Sequence, residues 1–124
     1  MKNLLLIVTL LALPLSAAGA GHMDVIQVKL HEGCSVDDYV RIKNDFNEQW
    51  GKSNGYMAEV LVPIQSEDLV SLYWVGRTAN AAAYGVAWDA WRDQLTDSKS
   101  VAAKLWARIE KCGANQSRSG FDVY

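Results

Sequence analysis

The sequence is poor in the side chains on which most catalytic and metal chemistry depends. Its 124 residues include two histidines and two cysteines, which leaves little material for a multi-histidine metal site or a Ser/His/Asp triad. It contains no G-x-S-x-G, no glycine-rich phosphate loop and no H-E-x-x-H. These absences exclude the usual hydrolase, nucleotide-binding and zinc-protease signatures, and neither a metal nor any other cofactor is expected.

The sequence also lacks a basic run, and its formal net charge is −2. Nucleic acids and anionic lipid surfaces attract clustered Lys and Arg, so both are poor candidate partners. The acidic excess is too small to indicate a basic partner.

The long apolar run is confined to the N-terminus. Met1 to Ala20 combines an early lysine, an apolar stretch and a small-residue end, Ala18-Gly19-Ala20, which is typical of a cleaved signal peptide and too short for a membrane span. We therefore expect an exported, periplasmic or extracellular protein with one domain over residues 21–124. His22 and Met23 are expected to belong to a mobile start.

Cys34 and Cys112 are the two cysteines of the chain. In an oxidising compartment such a pair is more often bridged than free, and a structural disulfide is predicted. A reactive thiol or a metal pair is the alternative, although no C-x-x-C spacing supports either.

The hydrophobic periodicity predicts the element order β-α-β-β-α-α-β in the mature chain. Ser35 begins the first helix as its cap, and Pro63 places the second strand at a sheet edge. This order is the ferredoxin-like α+β arrangement, a four-stranded antiparallel sheet in the order 4-1-3-2 with its helices on one face. In it, Cys34 and Cys112 lie at the same end of the sheet. The predicted strands are Asp24–His31, Tyr56–Gln65, Leu69–Arg77 and Gly120–Tyr124, and the later helices are Ala81–Leu95 and Lys99–Lys111.

The predicted strands carry apolar residues on both faces, whereas helices cover only one. Met57 and Leu61 alternate with Ala58 and Val60, for example. Because so apolar a second face is rarely left to water, we expect a second copy to cover it in a barrel-like homodimer.

In this element order and in its two-faced strands, Asp24 to Tyr124 resembles the dimeric α+β barrel superfamily. That superfamily includes antibiotic-biosynthesis-type monooxygenases, NIPSNAP-like, EthD-like and stress-responsive barrel proteins. The resemblance implies a small apolar or aromatic ligand between helices and sheet or inside the barrel. It also implies that haem degradation is disfavoured, because no histidine lies in a predicted helix.

Candidate catalytic residues are few. His31 and Glu59 form a conceivable proton-transfer pair, since imidazole titrates near neutrality and a carboxylate can orient it. The predicted strand order argues against the pair, because the first and second strands are not adjacent. His31 and Glu59 also fit an interpretation as solvated polar residues near strand ends. Tyr73 is a further weak candidate. Arg77 either holds an anion or pairs with Asp89 or Asp93.

Four aromatic side chains are the candidate ligand-binding residues. Trp74, Tyr84, Trp88 and Trp91 either line a pocket or simply fill the layer between helix and sheet, as helical spacing more often indicates.

Three functions remain open. The leading hypothesis is a homodimer without a catalytic set that binds a small apolar or aromatic molecule or has a structural role. The alternative is a cofactor-independent monooxygenase or isomerase acting on an aromatic or polyketide-like compound. The third is a module whose open sheet binds a different protein.

Overall fold

The computed structural model describes residues 21–124. The predicted signal peptide lies outside the described residues. The observed order confirms the predicted one. The elements are β1 (Gly21–Leu30), α1 (Val36–Phe46), a π-helical segment (Asn47–Gly51), α2 (Lys52–Asn54), β2 (Met57–Leu61), β3 (Leu72–Thr78), α3 (Ala81–Leu95), α4 (Val101–Cys112) and β4 (Gly113–Val123).

The four strands form one sheet in the order β2-β3-β1-β4, which is the predicted order read from the opposite edge. All neighbouring strands are antiparallel. The ferredoxin-like fold is therefore confirmed, with β2 at an edge. Pro63 plays no part in that position, because β2 ends at Leu61 and the proline lies in the connection to β3.

The last strand and the start of the first strand differ from the prediction. β4 begins directly after α4 and follows β1 along its whole length, with a register shift between Gln27 and Val28. No pattern in the sequence indicated this strand, because Asn115 to Ser119 are all polar and pairing with β1 orders the backbone without hydrophobic alternation. His22 and Met23 lie within β1, each paired on both sides, so the expected mobile start is wrong.

The first helix begins at the predicted cap and presents an apolar stripe to the core. Ser35 accepts a hydrogen bond from the Asp38 amide, and the Asp38 carboxylate accepts one from the Ser35 amide, which forms a capping box. Tyr39, Ile42 and Phe46 are buried on one face of α1. Trp50 continues that stripe through the π-helical segment, so the extra residue in this turn keeps the large ring in the core.

Cys34 and Cys112 form a disulfide, with their Cα atoms 5.3 Å apart. Their predicted proximity is confirmed, because the β1–α1 and α4–β4 junctions lie at the same end of the sheet. A backbone hydrogen bond of 2.9 Å from the His31 amide to the Cys112 carbonyl joins the same two junctions.

Candidate functional site

A cavity of about 200 Å³ lies between the sheet and the helices. Its walls are mostly aromatic, and all four predicted aromatic residues line it: Trp74 from β3, and Tyr84, Trp88 and Trp91 from α3. Their binding of a ligand remains a prediction, but the structure brings them to the wall of one partly open cavity.

The inner wall of the cavity is a packed aromatic cluster centred on Phe46. Its ring centroid lies 5.0 Å from that of Trp74, 5.4 Å from Trp91 and 5.3 Å from Trp50. Edge-to-face contacts at such distances fix ring positions. Trp74 and Trp91 are thus part of the core as well as of the cavity wall, whereas Tyr84 and Trp88 are only partly buried.

A buried carboxylate, Asp24, lies beside this cavity and is held by two side chains, Arg118 and Tyr56. Its side chain is 3% exposed. Arg118 donates to both carboxylate oxygens, from Nε at 2.7 Å and from Nη2 at 2.6 Å. The Tyr56 hydroxyl donates to Oδ2 at 2.8 Å and accepts from Nε1 of Trp74 at 3.2 Å. No fully buried side-chain oxygen or nitrogen of this network lacks a partner, as a buried polar group requires.

The network shifts the pKa values of its members. Burial, reinforced by the charge and the hydrogen bond of Asp24, raises the pKa of Tyr56 far above its usual range. Burial lowers the pKa of Arg118, but the hydrogen bond and charge of Asp24 outweigh it and leave the pKa raised. Tyr56 is therefore a neutral donor and Arg118 a fixed cation at physiological pH.

Arg118 also packs against the aromatic wall. Its guanidinium carbon lies 4.1 Å from the ring centroid of Trp88 and 5.9 Å from that of Tyr84, within the range of cation–π attraction. The two rings are stacked at 6.4 Å. Arg118 and Asn115, both from β4, are polar residues in the cavity wall.

A His–Asp contact borders the same region. His22 Nδ1 lies 3.4 Å from Asp122 Oδ1, and its ring centroid is 4.9 Å from that of Tyr84. Both residues belong to paired strands, β1 and β4, which places the imidazole beside the aromatic wall.

The candidate catalytic residues lie elsewhere. Glu59 is in register with Val75 and hence with Val25, whereas His31 lies beyond the end of β1, roughly 20 Å along the sheet at about 3.3 Å per residue. The two side chains cannot exchange a proton within one subunit. Glu59 and Tyr73 are diagonal neighbours on the face away from the helices, outside the cavity.

Arg77 has a different partner from those predicted. Its Nε donates to Glu59 at 2.9 Å across the β2–β3 pair, while Asp89 contacts Arg92 within α3. The sequence alone did not identify Glu59 as the partner of Arg77, because that contact depends on the register between β2 and β3.

Asp24, Tyr56 and Arg118 were not found from the sequence. One signal existed for Asp24, because it shares the two-residue period of Ile26 and Val28, and a carboxylate on the core face of a strand needs a partner. Arg118 gave none, because it lies in a polar stretch that resembles a loop.

Over residues 21–124, no group of three or more His, Cys, Asp or Glu side chains is placed to hold a metal ion. Within that same range no helix combines the length and apolarity needed to cross a membrane.

Comparison with known proteins shows similar folds but no closer relationship. No family model matches the sequence, and no curated protein is significantly similar to it. Among solved structures, SnoaB, a cofactor-independent oxygenase from Streptomyces nogalater, is similar with a TM-score of 0.51 at 10% identity, over 85% of this chain and 94% of SnoaB. A protein named YJCS is similar with a TM-score of 0.51 at 8% identity, over 85% of this chain and all (100%) of the other.

A dimeric protein of unknown function and ferredoxin-like fold from Bacteroides fragilis gives a TM-score of 0.42 at 12% identity, over 82% of this chain and 93% of that one. At such identities the likenesses show the fold alone. The likeness to SnoaB agrees with the fold that the strand order of this sheet shows.

Proposed function

We propose that this protein binds a small, largely apolar aromatic molecule in the cavity between the sheet and α3. The observation that carries the proposal is the partly open cavity of about 200 Å³ walled by Trp74, Trp88 and Trp91. Aromatic walls offer large contact areas and fixed ring geometry to a planar ligand.

The volume of the cavity accommodates one ring or a small fused pair. An engineered apolar cavity of about 150 Å³ takes up benzene, and the cavity here is only somewhat larger, at about 200 Å³. A polyketide-like compound of several rings exceeds that space. The alternative of an oxygenase or isomerase acting on such a compound therefore gains no support from the cavity, and the likeness to SnoaB concerns the fold alone.

Filling the cavity tests the proposal. Ala87 is fully buried and lines it, so Ala87→Leu should remove binding of indole or naphthalene, measured as quenching of tryptophan fluorescence and as a rise in melting temperature. The matched control is Ala82→Leu, on the exposed side of the same helix, which should bind as the wild type does. Wild-type protein whose fluorescence and melting temperature respond to neither compound would contradict the proposal.

We further propose a homodimer through the open face, meaning the face of the sheet away from the helices. Its margins expose large apolar side chains, including Met57 and Leu61 on β2 and Phe121 on β4. Ile64 and Val70, in the connection between β2 and β3, are also exposed. A second copy would cover such a surface in the way typical of symmetric dimers.

Light scattering on the mature protein should give twice the monomer mass, and Leu61→Glu should shift it to the monomer. Lys104→Glu, which changes a charge on the exposed side of α4, is the control and should remain dimeric. A monomeric wild type would contradict the homodimer and favour a different protein as the partner of the open face.

Export completes the proposal. The disulfide is compatible with an oxidising compartment, and the apolar N-terminus supports cleavage after Ala20. N-terminal sequencing of protein recovered from outside the cytoplasm should begin at Gly21, and an uncleaved chain retained in the cytoplasm would contradict export.

A further inference from the structure

We propose that Arg118 selects ligands whose polar end is a neutral hydrogen-bond acceptor, such as an aromatic ketone, aldehyde or amide. This inference rests on the proposed function, because it concerns the same cavity. It adds the chemical class of the ligand and the residue that recognises it.

Arg118 has a donor to spare. Its Nε and Nη2 are engaged by the two oxygens of Asp24, and in the planar guanidinium Nη1 then points away from that carboxylate. Among residues 21–124, these are the two hydrogen bonds that the Arg118 side chain makes, and Nη1 takes part in neither. Arg118 lies in the cavity wall with its side chain 35% exposed, so this donor is available to a ligand.

The donor is also fixed in position before any ligand arrives. Asp24 holds one edge of the guanidinium through two hydrogen bonds, and the ring of Trp88 supports its flat face at 4.1 Å. A donor that is already ordered loses little conformational freedom on binding, so its hydrogen bond adds more to affinity.

The charge of the site decides which acceptor fits. Asp24 is almost completely buried and already neutralises the Arg118 cation. A carboxylate ligand would therefore bring an uncompensated negative charge into a largely apolar space, which is unfavourable. A cationic ligand would meet the guanidinium itself. A neutral carbonyl oxygen accepts from Nη1 without adding charge.

Three probes of similar size and different polar ends separate these possibilities. Ethylbenzene has no acceptor, acetophenone has a neutral one and benzoate has a charged one. In wild-type protein, acetophenone should bind about tenfold more tightly than ethylbenzene, as expected for a hydrogen bond to a charged group, and benzoate more weakly than acetophenone. Dissociation constants from fluorescence titration at pH 7 provide the comparison.

Two variants assign the selection to the network. Arg118→Gln should remove the preference for acetophenone over ethylbenzene. Asp24→Asn leaves the Arg118 charge uncompensated and should reverse the order of acetophenone and benzoate. Arg92→Gln, which changes an arginine on the surface of α3 that contacts Asp89, is the control and should preserve the wild-type order. The wild-type series decides the question even if a network variant does not fold.

The outcomes distinguish this inference from the proposed function. Ethylbenzene binding as tightly as acetophenone to the wild type, or benzoate binding more tightly than acetophenone, would overturn the selection by Arg118 and leave aromatic binding intact. Failure of all three probes to bind would overturn the proposed function itself.

Discussion

Tyr56 occupies a space that a missing side chain provides. Its ring lies over Gly76 of β3, where an added Cβ would stand 1.8 Å from the ring carbon Cζ. Gly76 pairs with Asp24 on one side and Ala58 on the other. Because Gly76 has no side chain, the ring of Tyr56 can lie across β3 and place its hydroxyl 2.8 Å from the Asp24 carboxylate.

Adding one methyl group at Gly76 should disturb this arrangement. We expect Gly76→Ala to lower the free energy of unfolding by about 1–3 kcal/mol through overpacking, because the ring cannot shift without breaking the network. Gly85→Ala, inside α3 with open space around it, is the matched control and should raise the stability by about 0.4–1 kcal/mol. Denaturant unfolding measures both, and equal effects of the two substitutions would contradict the interpretation.

Two buried tyrosines should make stability fall at high pH. Burial raises the pKa of Tyr39 to about 12, and burial together with Asp24 raises that of Tyr56 further. Their unfolded-state pKa is about 10, so the folded protein holds protons that the unfolded chain loses above that value. The stabilisation is complete below pH 10 and is lost as pH rises towards 12.

Absorbance titration at 295 nm should accordingly show that Tyr39 and Tyr56 ionise late, and burial also raises the pKa of Tyr84. Tyr56→Phe should remove one of these late ionisations and leave that of Tyr39 in place. Ionisation of all tyrosines near pH 10 in the folded protein would be inconsistent with the structure.

At the scale of elements, one side chain attaches the first helical layer to the edge strand. Asn47 begins the π-helical segment, where its Nδ2 donates to the Ala58 carbonyl at 2.9 Å and its Oδ1 accepts from the Ala58 amide at 2.8 Å. The side-chain amide of Asn47 therefore forms hydrogen bonds with one residue on the free edge of β2, as a neighbouring strand would.

Replacing that amide should weaken the edge. Asn47→Ala leaves both buried backbone groups of Ala58 without a partner, and we expect a loss of about 1–3 kcal/mol in unfolding free energy. The exposed Asn44→Ala, one turn earlier on α1, should change it by less than about 0.5 kcal/mol. Comparable melting temperatures for the two variants would show that Asn47 does not support β2.

For the whole molecule, the disulfide closes most of the domain into one loop. It joins residues separated by 78 positions, and the chain-entropy treatment gives up to about 4–5 kcal/mol for a loop of that length. Reduction should therefore lower the melting temperature of the wild type, whereas Cys34→Ser/Cys112→Ser should melt at one lower temperature with or without reductant. Mass spectrometry of the protein purified without reductant should show the loss of two hydrogens, and a fully reduced mass would contradict the bridge.

How far the sequence predicted the molecule depended on whether a feature was local. The Ser35 cap, the stripe of Tyr39, Ile42 and Phe46, and the end-to-end proximity of the cysteines all follow from short-range patterns and chain direction. β4 did not, because its order comes from hydrogen bonding to β1 and its own residues are polar. The sequence predicted part of the aromatic wall. Helical spacing placed the rings of Tyr84, Trp88 and Trp91 on one face, but it could not show that they leave a cavity.

The sequence by itself determined the order of elements and the ferredoxin-like topology, because hydrophobic period and turn residues are properties of neighbouring positions. Only the tertiary structure decided that Asp24, Tyr56 and Arg118, from three different parts of the chain, meet beside an aromatic cavity. The physical reason is that a buried charge is tolerated only where folding brings its partners to it, and that meeting depends on strand register, which no single segment encodes.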